Sequence, residues 1–155
     1  MIRCFRLSSW QYPVNTGTGA ALFGGRWNPV GTPVIYASAN PSLAVLEVLV
    51  HFSRLPRGFV LTEIEVPTEV EIEAVDAAQL PADWDSLAPT SATQRFGSSW
   101  VNEARSAVLA VPSSIVPMDR NLIINPGHAD FRKIRFLQPI PFRFDPRLKT
   151  ESSNG

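Results

Sequence analysis

A chain of 155 residues with 45% hydrophobic content suits one compact domain with a real core, since two domains would each be small. Fourteen Lys and Arg balance fourteen Asp and Glu. This formal charge of zero argues against non-specific nucleic-acid binding, which needs a basic phosphate-facing surface. It also leaves no net repulsion between copies, so a homodimer or a tight protein partner is expected. Cys4 is the only cysteine, which excludes an intrachain disulfide and a multi-thiolate metal site and fits a reducing compartment. No signal-peptide pattern follows Met1 and no run approaches the ~18 apolar residues of a membrane span, so a soluble, cytoplasmic protein with no membrane role is expected.

Fourteen prolines and nine glycines favour strands and loops over long helices. Residues 1–7 read as a strand. Residues 8–22 read as mostly loop, because Pro13, Gly17 and Gly19 interrupt them. Residues 24–28 form a glycine-entered strand or turn, and the β-branched and aromatic run 34–37 a strand. Pro41 and Ser42 open a helix that runs to about Phe52, capped by Ser42 or Asn40. Residues 59–66 alternate as a clear strand, and 69–74 as a second, acidic one. Residues 76–80 and 82–85 make a turn and a short helical piece. Residues 91–105 carry Phe96, Trp100 and Ala104 at four-residue spacing, a helix despite Gly97. An apolar strand at 107–111 ends at Pro112, residues 115–117 and 121–125 are extended, and 131–141 alternates into a Pro-rich close. The result is an α+β domain over residues 1–145, with many short strands and two modest helices, followed by a polar tail at 146–155.

The chemistry concentrates between Gly24 and Glu47. Gly24 and Gly25 let the backbone approach a ligand closely, and Arg26 can grip phosphate with two parallel charge-assisted bonds. The same arginine equally fits a structural role, paired with a carboxylate and stacked on Trp27. Tyr36 offers a ring for stacking and a hydroxyl for a ribose, or is a core tyrosine. Glu47 interrupts the otherwise apolar run 43–50, and a carboxylate there is costly unless something compensates it. The compensation is a structural partner such as Arg26 or Arg105, or a pocket in which positive charge develops during reaction. Ser113 follows Val-Pro at a strand end, where it bonds a ligand or satisfies the turn. No Gly-x-Ser-x-Gly elbow surrounds it, and the glycine-rich stretch fits neither a P-loop nor a dinucleotide fingerprint. His51 and His128 lack partners at metal-ligand spacing and read as polar or capping residues.

These residues resemble a known family. Gly24-Gly25-Arg26-Trp27-Asn28, Gly31, Val34-Ile35-Tyr36, Leu43-Ala44, Leu46-Glu47 and His51 match the order and spacing of the RES domain, named for its Arg, Glu and Ser. Gly97, Trp100, Val111-Pro112-Ser113, Asn121, Asn125-Pro126, His128 and Phe131 agree, as do Phe5-Arg6-Leu7 and Gly19-Ala20. The resemblance spans roughly residues 3–140 and implies an ADP-ribosyltransferase-like fold, with central short-stranded sheets flanked by a few helices. It implies a toxin of a bacterial toxin–antitoxin pair that acts on NAD⁺ by hydrolysis, phosphorolysis or ADP-ribosylation. NAD⁺ is then a substrate, with no permanently bound cofactor and no metal. The implied partner is an Xre-type antitoxin that occludes the active site. The implied catalytic residues are Arg26, Tyr36, Glu47 and Ser113, and Trp27 and Asn28 join them in the NAD⁺-binding set. Arg26 and Ser113 would hold the pyrophosphate, Tyr36 would stack on nicotinamide, and Glu47 would stabilise the ribosyl cation. Ser114 competes with Ser113 for the serine role. The alternative is a catalytically inactive module of the same fold that only binds a partner.

Overall fold

The structure is a computed structural model that describes residues 1–149. The elements, in chain order, are β1 (Ile2–Ser9), α1 (Thr18–Phe23), β2 (Ile35–Ser38), α2 (Pro41–Leu49), β3 (Phe59–Val66), β4 (Ile72–Ala74), α3 (Ser91–Glu103), β5 (Val108–Pro112), β6 (Arg120–Ile124), β7 (Arg135–Phe136) and β8 (Ile140–Phe142). Short 3-10 turns occupy Ala77–Gln79, Ala129–Lys133 and Pro146–Leu148. Part of the expected tail is thus a turn, and its residues 150–155 lie outside the described ones.

One eight-stranded sheet organises these elements in the order β4-β5-β6-β2-β1-β3-β7, with β8 also paired to β3. Among the described strands, only β4 and β5 run parallel. β1 and β3 match over eight consecutive pairs, from Ile2 opposite Val66 to Ser9 opposite Phe59. β1 and β2, by contrast, meet at the single pair Phe5–Ser38. The sheet is therefore two half-sheets joined at one rung, and this gives it its curl. The mixed fold with short strands and few helices is the expected one.

Side chains alternate between the two faces of the sheet. One face carries Cys4, Ile35, Ala37, Ile64, Val66, Val108, Leu122 and Ile124, covered by Phe131, Ile134 and Phe136. Burial there pushes the Cys4 thiol up to about 12, so it is no nucleophile at neutral pH. The opposite face is covered at two places. Over β5 and β6, Trp100 and Phe96 of α3 pack with Trp27 on Leu109, Val111 and Ile123. Over β1 and β3, Ala44, Val45, Val48 and Leu49 of α2 pack on Phe5, Leu7 and Leu61. The strip of sheet between the two helices carries the polar chemistry.

Several expectations need correction. Residues 18–23 form a helix, not loop: Gly17 precedes it in a left-handed conformation and Ala20, Ala21 and Leu22 are good helix formers. The helices therefore number three among the described residues. The α2 helix stops at Leu49, and two tighter turns carry the chain to Phe52. Its cap is Asn40, whose side chain accepts from the Leu43 N–H. The acidic strand shrinks to Ile72–Ala74, because Val70 N–H turns back to the Pro67 carbonyl. Residues 115–117 are a turn, not a strand, since the N–H groups of Ile115 and Val116 both donate to Ser113 Oγ. No described helix is long and apolar enough to cross a membrane.

Candidate active site

The segment that carries Arg26 is fixed from three sides. Below it, the Tyr36 hydroxyl accepts from the Trp27 N–H at 3.1 Å and donates to Asn28 Oδ1 at 2.5 Å. Inside it, Asn28 is fully buried and its Nδ2 donates to the Ala20, Pro29 and Thr32 carbonyls. Beside it, Gln94 of α3 donates to the Gly25 carbonyl at 3.1 Å. Two glycines make this closeness possible. A Cβ on Gly97 would lie 1.7 Å from the Trp27 carbonyl oxygen, so α3 could not pack there with any other residue. A Cβ on Gly25 would lie 2.8 Å from the Tyr36 hydroxyl. The missing side chain at Gly25 thus admits Tyr36 rather than a ligand.

Burial pushes the Tyr36 hydroxyl well above the usual tyrosine range, although the Trp27 N–H and the charges of Arg26 and Arg6 pull the other way. It stays protonated and keeps its bond to Asn28. Arg26 itself is half-buried, and its Nη1 donates to the Trp84 carbonyl at 2.8 Å. No carboxylate among the described residues pairs with it, nor does it hold Trp27, which lies in the core edge-on to Phe96.

Glu47 projects from α2 toward the β5–β6 hairpin. Ser113 Oγ donates to its Oε1 at 2.7 Å, and Asn121 Nδ2 donates to the same oxygen at 2.6 Å. Asn121 is held in turn by Ser38, whose hydroxyl donates to Asn121 Oδ1 at 2.7 Å. Neither Arg26 nor Arg105 compensates the carboxylate; Arg105 pairs with Glu73 and Glu103. Two neutral donors do so, and Oε2 has no hydrogen-bond partner among the described residues. Ser113 rather than Ser114 makes the contact. It is fully buried, with its hydroxyl committed to Glu47 and to two backbone N–H groups.

The two clusters share one floor. Tyr36 and Ser38 lie on the same face of β2, about 7 Å apart along the strand. Across β6 they face Ile123 and Asn121. Tyr36 anchors the Arg26 segment and Ser38 anchors the Glu47 cluster, so one strip of sheet has a cation at one end and a carboxylate at the other. Trp27 and Asn28 stand behind this strip as buried supports. Asn121, the second donor to Glu47, and Ser38 behind it were not read from the sequence as partners of the carboxylate, because strand pairing brings them there. His128 Nδ1 accepts from the Asp130 N–H, as a capping residue does. No group of three His, Cys, Asp or Glu that could hold a metal occurs among the described residues.

Comparison with known proteins identifies the family. The RES domain model matches residues 2–145. The chain is 42% identical to "Toxin Res" of Photorhabdus laumondii, over 93% of this chain and 95% of that protein. It is also 42% identical to the "Prs ADP-ribosylating toxin" of a Sphingobium species, over 86% of this chain and 85% of that protein. Its fold matches a chain of the crystal structure of the M. tuberculosis MbcT–MbcA toxin–antitoxin complex at a TM-score of 0.69, with 19% identity over 95% of this chain and 86% of the other. This chain belongs to the RES domain family.

Proposed function

We propose that this chain is the toxin of a bacterial toxin–antitoxin pair and breaks the bond between nicotinamide and ribose in NAD⁺. The observation that carries the reading is Glu47: a half-buried carboxylate with one oxygen fixed by Ser113 and Asn121 and the other free to face a ligand. As the glycosidic bond breaks, its electron pair goes to the nicotinamide nitrogen and nicotinamide leaves neutral. The ribose carbon becomes a cation that a preorganised carboxylate stabilises. The free oxygen of Glu47 takes that role, or bonds the ribose hydroxyls. Ser113 and Asn121 then act as positioning residues.

Arg26 takes the pyrophosphate with the guanidinium N–H groups not given to Trp84. Ser113, fully buried, fits the positioning of Glu47 better than contact with phosphate. Tyr36 offers its ring to nicotinamide, since its hydroxyl is spent within the protein. Trp27 and Asn28 shape the site from behind, and their backbone is the part nearest a ligand. NAD⁺ is a consumed substrate in this scheme, and no metal takes part. An antitoxin of Xre type that covers the cleft is the proposed partner; Leu46 and Val50, exposed on the helix of Glu47, provide apolar surface for it. A relative named as an ADP-ribosylating toxin favours transfer to a protein over hydrolysis or phosphorolysis.

Mass spectrometry of the products formed from NAD⁺, with and without phosphate and with a lysate as acceptor, tests this. Nicotinamide is expected in every arm, with the ADP-ribosyl group on a lysate protein. ADP-ribose or its phosphorylated form as the main product would reassign the acceptor. No nicotinamide in any arm would reject the enzyme and favour a binding module.

A further inference from the structure

The bonds to Glu47 are one of two links between α2 and the β5–β6 hairpin. Asn40, the residue before α2, uses both ends of its amide. Its Oδ1 accepts from the Leu43 N–H at 2.8 Å, and its Nδ2 donates to Asp119 Oδ2 at 2.7 Å. Asp119 lies half-buried in the hairpin turn, where its Oδ1 accepts from the Arg120 N–H at 2.9 Å. No cation among the described residues pairs with it. Asp119 also fixes the serine segment: its carbonyl accepts from the Ser113 N–H at 3.0 Å, and its N–H donates to the Val116 carbonyl at 2.9 Å. The helix is thus tied to the hairpin at its first turn by Asn40, and again at Glu47, about 10 Å further along its axis. The apolar face of α2 packs on β1 and β3 instead, through Ala44, Val45, Val48 and Leu49. Apolar burial is non-directional and does not fix where a helix stands along its axis. The two polar links do.

We propose that Asp119 is a positioning residue for the reaction: through Asn40 it sets where α2 stands against the hairpin, and so where the free oxygen of Glu47 meets the ribose. The inference rests on the reading of Glu47 as the group that stabilises the ribosyl cation. The residue types support it. Aspartate caps a helix as well as asparagine does, so capping alone does not call for an amide at position 40. Only the amide adds a donor on the side away from the helix, and the carboxylate of Asp119 takes it. A carboxylate at 119 in turn accepts for both elements at once, from Asn40 and from the hairpin backbone. Ser113 belongs to the same turn, so a slip of α2 would move Glu47 relative to its own donor. A misplacement of about 1 Å in a reacting group costs about a hundredfold in rate.

The test compares the wild-type chain with Asn40→Asp, Asp119→Ala and the reciprocal pair Asn40→Asp/Asp119→Asn, with thermal unfolding of each. Asn40→Asp keeps the cap but sets two carboxylates against each other; Asp119→Ala leaves Asn40 and its cap in place. Both should release nicotinamide with kcat lower by about tenfold or more per folded molecule and KM little changed. The reciprocal pair restores the bond with donor and acceptor exchanged, and should return kcat close to the wild-type value. The side-chain amide resonances of Asn121, which donates to Glu47, give a second reading that needs no NAD⁺. They should shift in both single variants and return in the reciprocal pair. If the wild type releases no nicotinamide, the reading of the reaction fails, and these resonances alone decide whether Asp119 places Glu47. A purely structural role would lower the midpoint temperature and leave both kcat and the Asn121 resonances as in the wild type. That outcome in either single variant would overturn the proposal, as would a folded reciprocal pair that stays as slow as Asn40→Asp.

Discussion

At the scale of single residues, the Glu47 carboxylate is set by its donors. Ser113 and Asn121 both meet Oε1, so the orientation of the free oxygen depends on two neutral hydrogen bonds to a charged group. Each such bond is worth about 1.5–3 kcal/mol. Replacing Asn121 by Leu keeps the volume and removes one donor. The variant should release nicotinamide about ten- to a hundredfold more slowly at saturating NAD⁺, with little change in KM. A purely structural role for Asn121 would lower stability and leave the rate per folded molecule unchanged. The sequence singled out Arg26, Tyr36, Glu47 and Ser113 through their resemblance to a family pattern, but it did not show Asn121 or Ser38 as partners in the Glu47 cluster. Glu47 invited a search for a cation, because an isolated carboxylate on an apolar helix looks uncompensated. The answer came from Asn121, 74 positions away, and Ser38 behind it. Spacing along a chain carries no trace of a contact made by strand pairing.

At the scale of elements, α3 holds the Arg26 segment by backbone contact. Gly97 leaves room for the Trp27 carbonyl, and Gln94 donates to Gly25. Gly97→Ala should therefore destabilise the fold by about 1–3 kcal/mol through overpacking, despite the better helix propensity of alanine. Ser99→Ala, an exposed control on the same helix, should change little. Urea denaturation of both variants checks this, and a Gly97→Ala protein as stable as wild type would show that α3 can shift. The strand at 59–66 and the helix at 91–105 were readable because burial on one face imposes period two or 3.6, and the strand at 107–111 because burial on both faces makes it one continuous apolar run. α1 was not: Gly17 and Gly19 suggest loop, yet Gly17 lies before the helix and Gly19 fits within it. Residues 115–117 failed the other way, since their β-branched composition suggests a strand while the Ser113 hydroxyl ties the backbone into a turn.

At the scale of the whole molecule, the site depends on how the sheet is divided. β2 meets β1 at one rung and pairs with β6 over four positions, which aligns Tyr36 and Ser38 with Ile123 and Asn121. The loop of Arg26 and the helix of Glu47 reach that strip from opposite ends. Composition and charge bounded the size of the domain but carried nothing of this topology, because strand order is a property of long-range pairing. The most direct measurement is nicotinamide release from NAD⁺ by the wild-type chain and by Glu47→Gln and Arg26→Met, with thermal unfolding of each as a check on folding. The wild type should release nicotinamide, and Glu47→Gln should be slower by about a hundred- to a thousandfold, as expected when a preorganised charge is removed. Arg26→Met should lose rate chiefly through weaker binding of NAD⁺. Undiminished release by both folded variants would contradict a cleft built on these two residues.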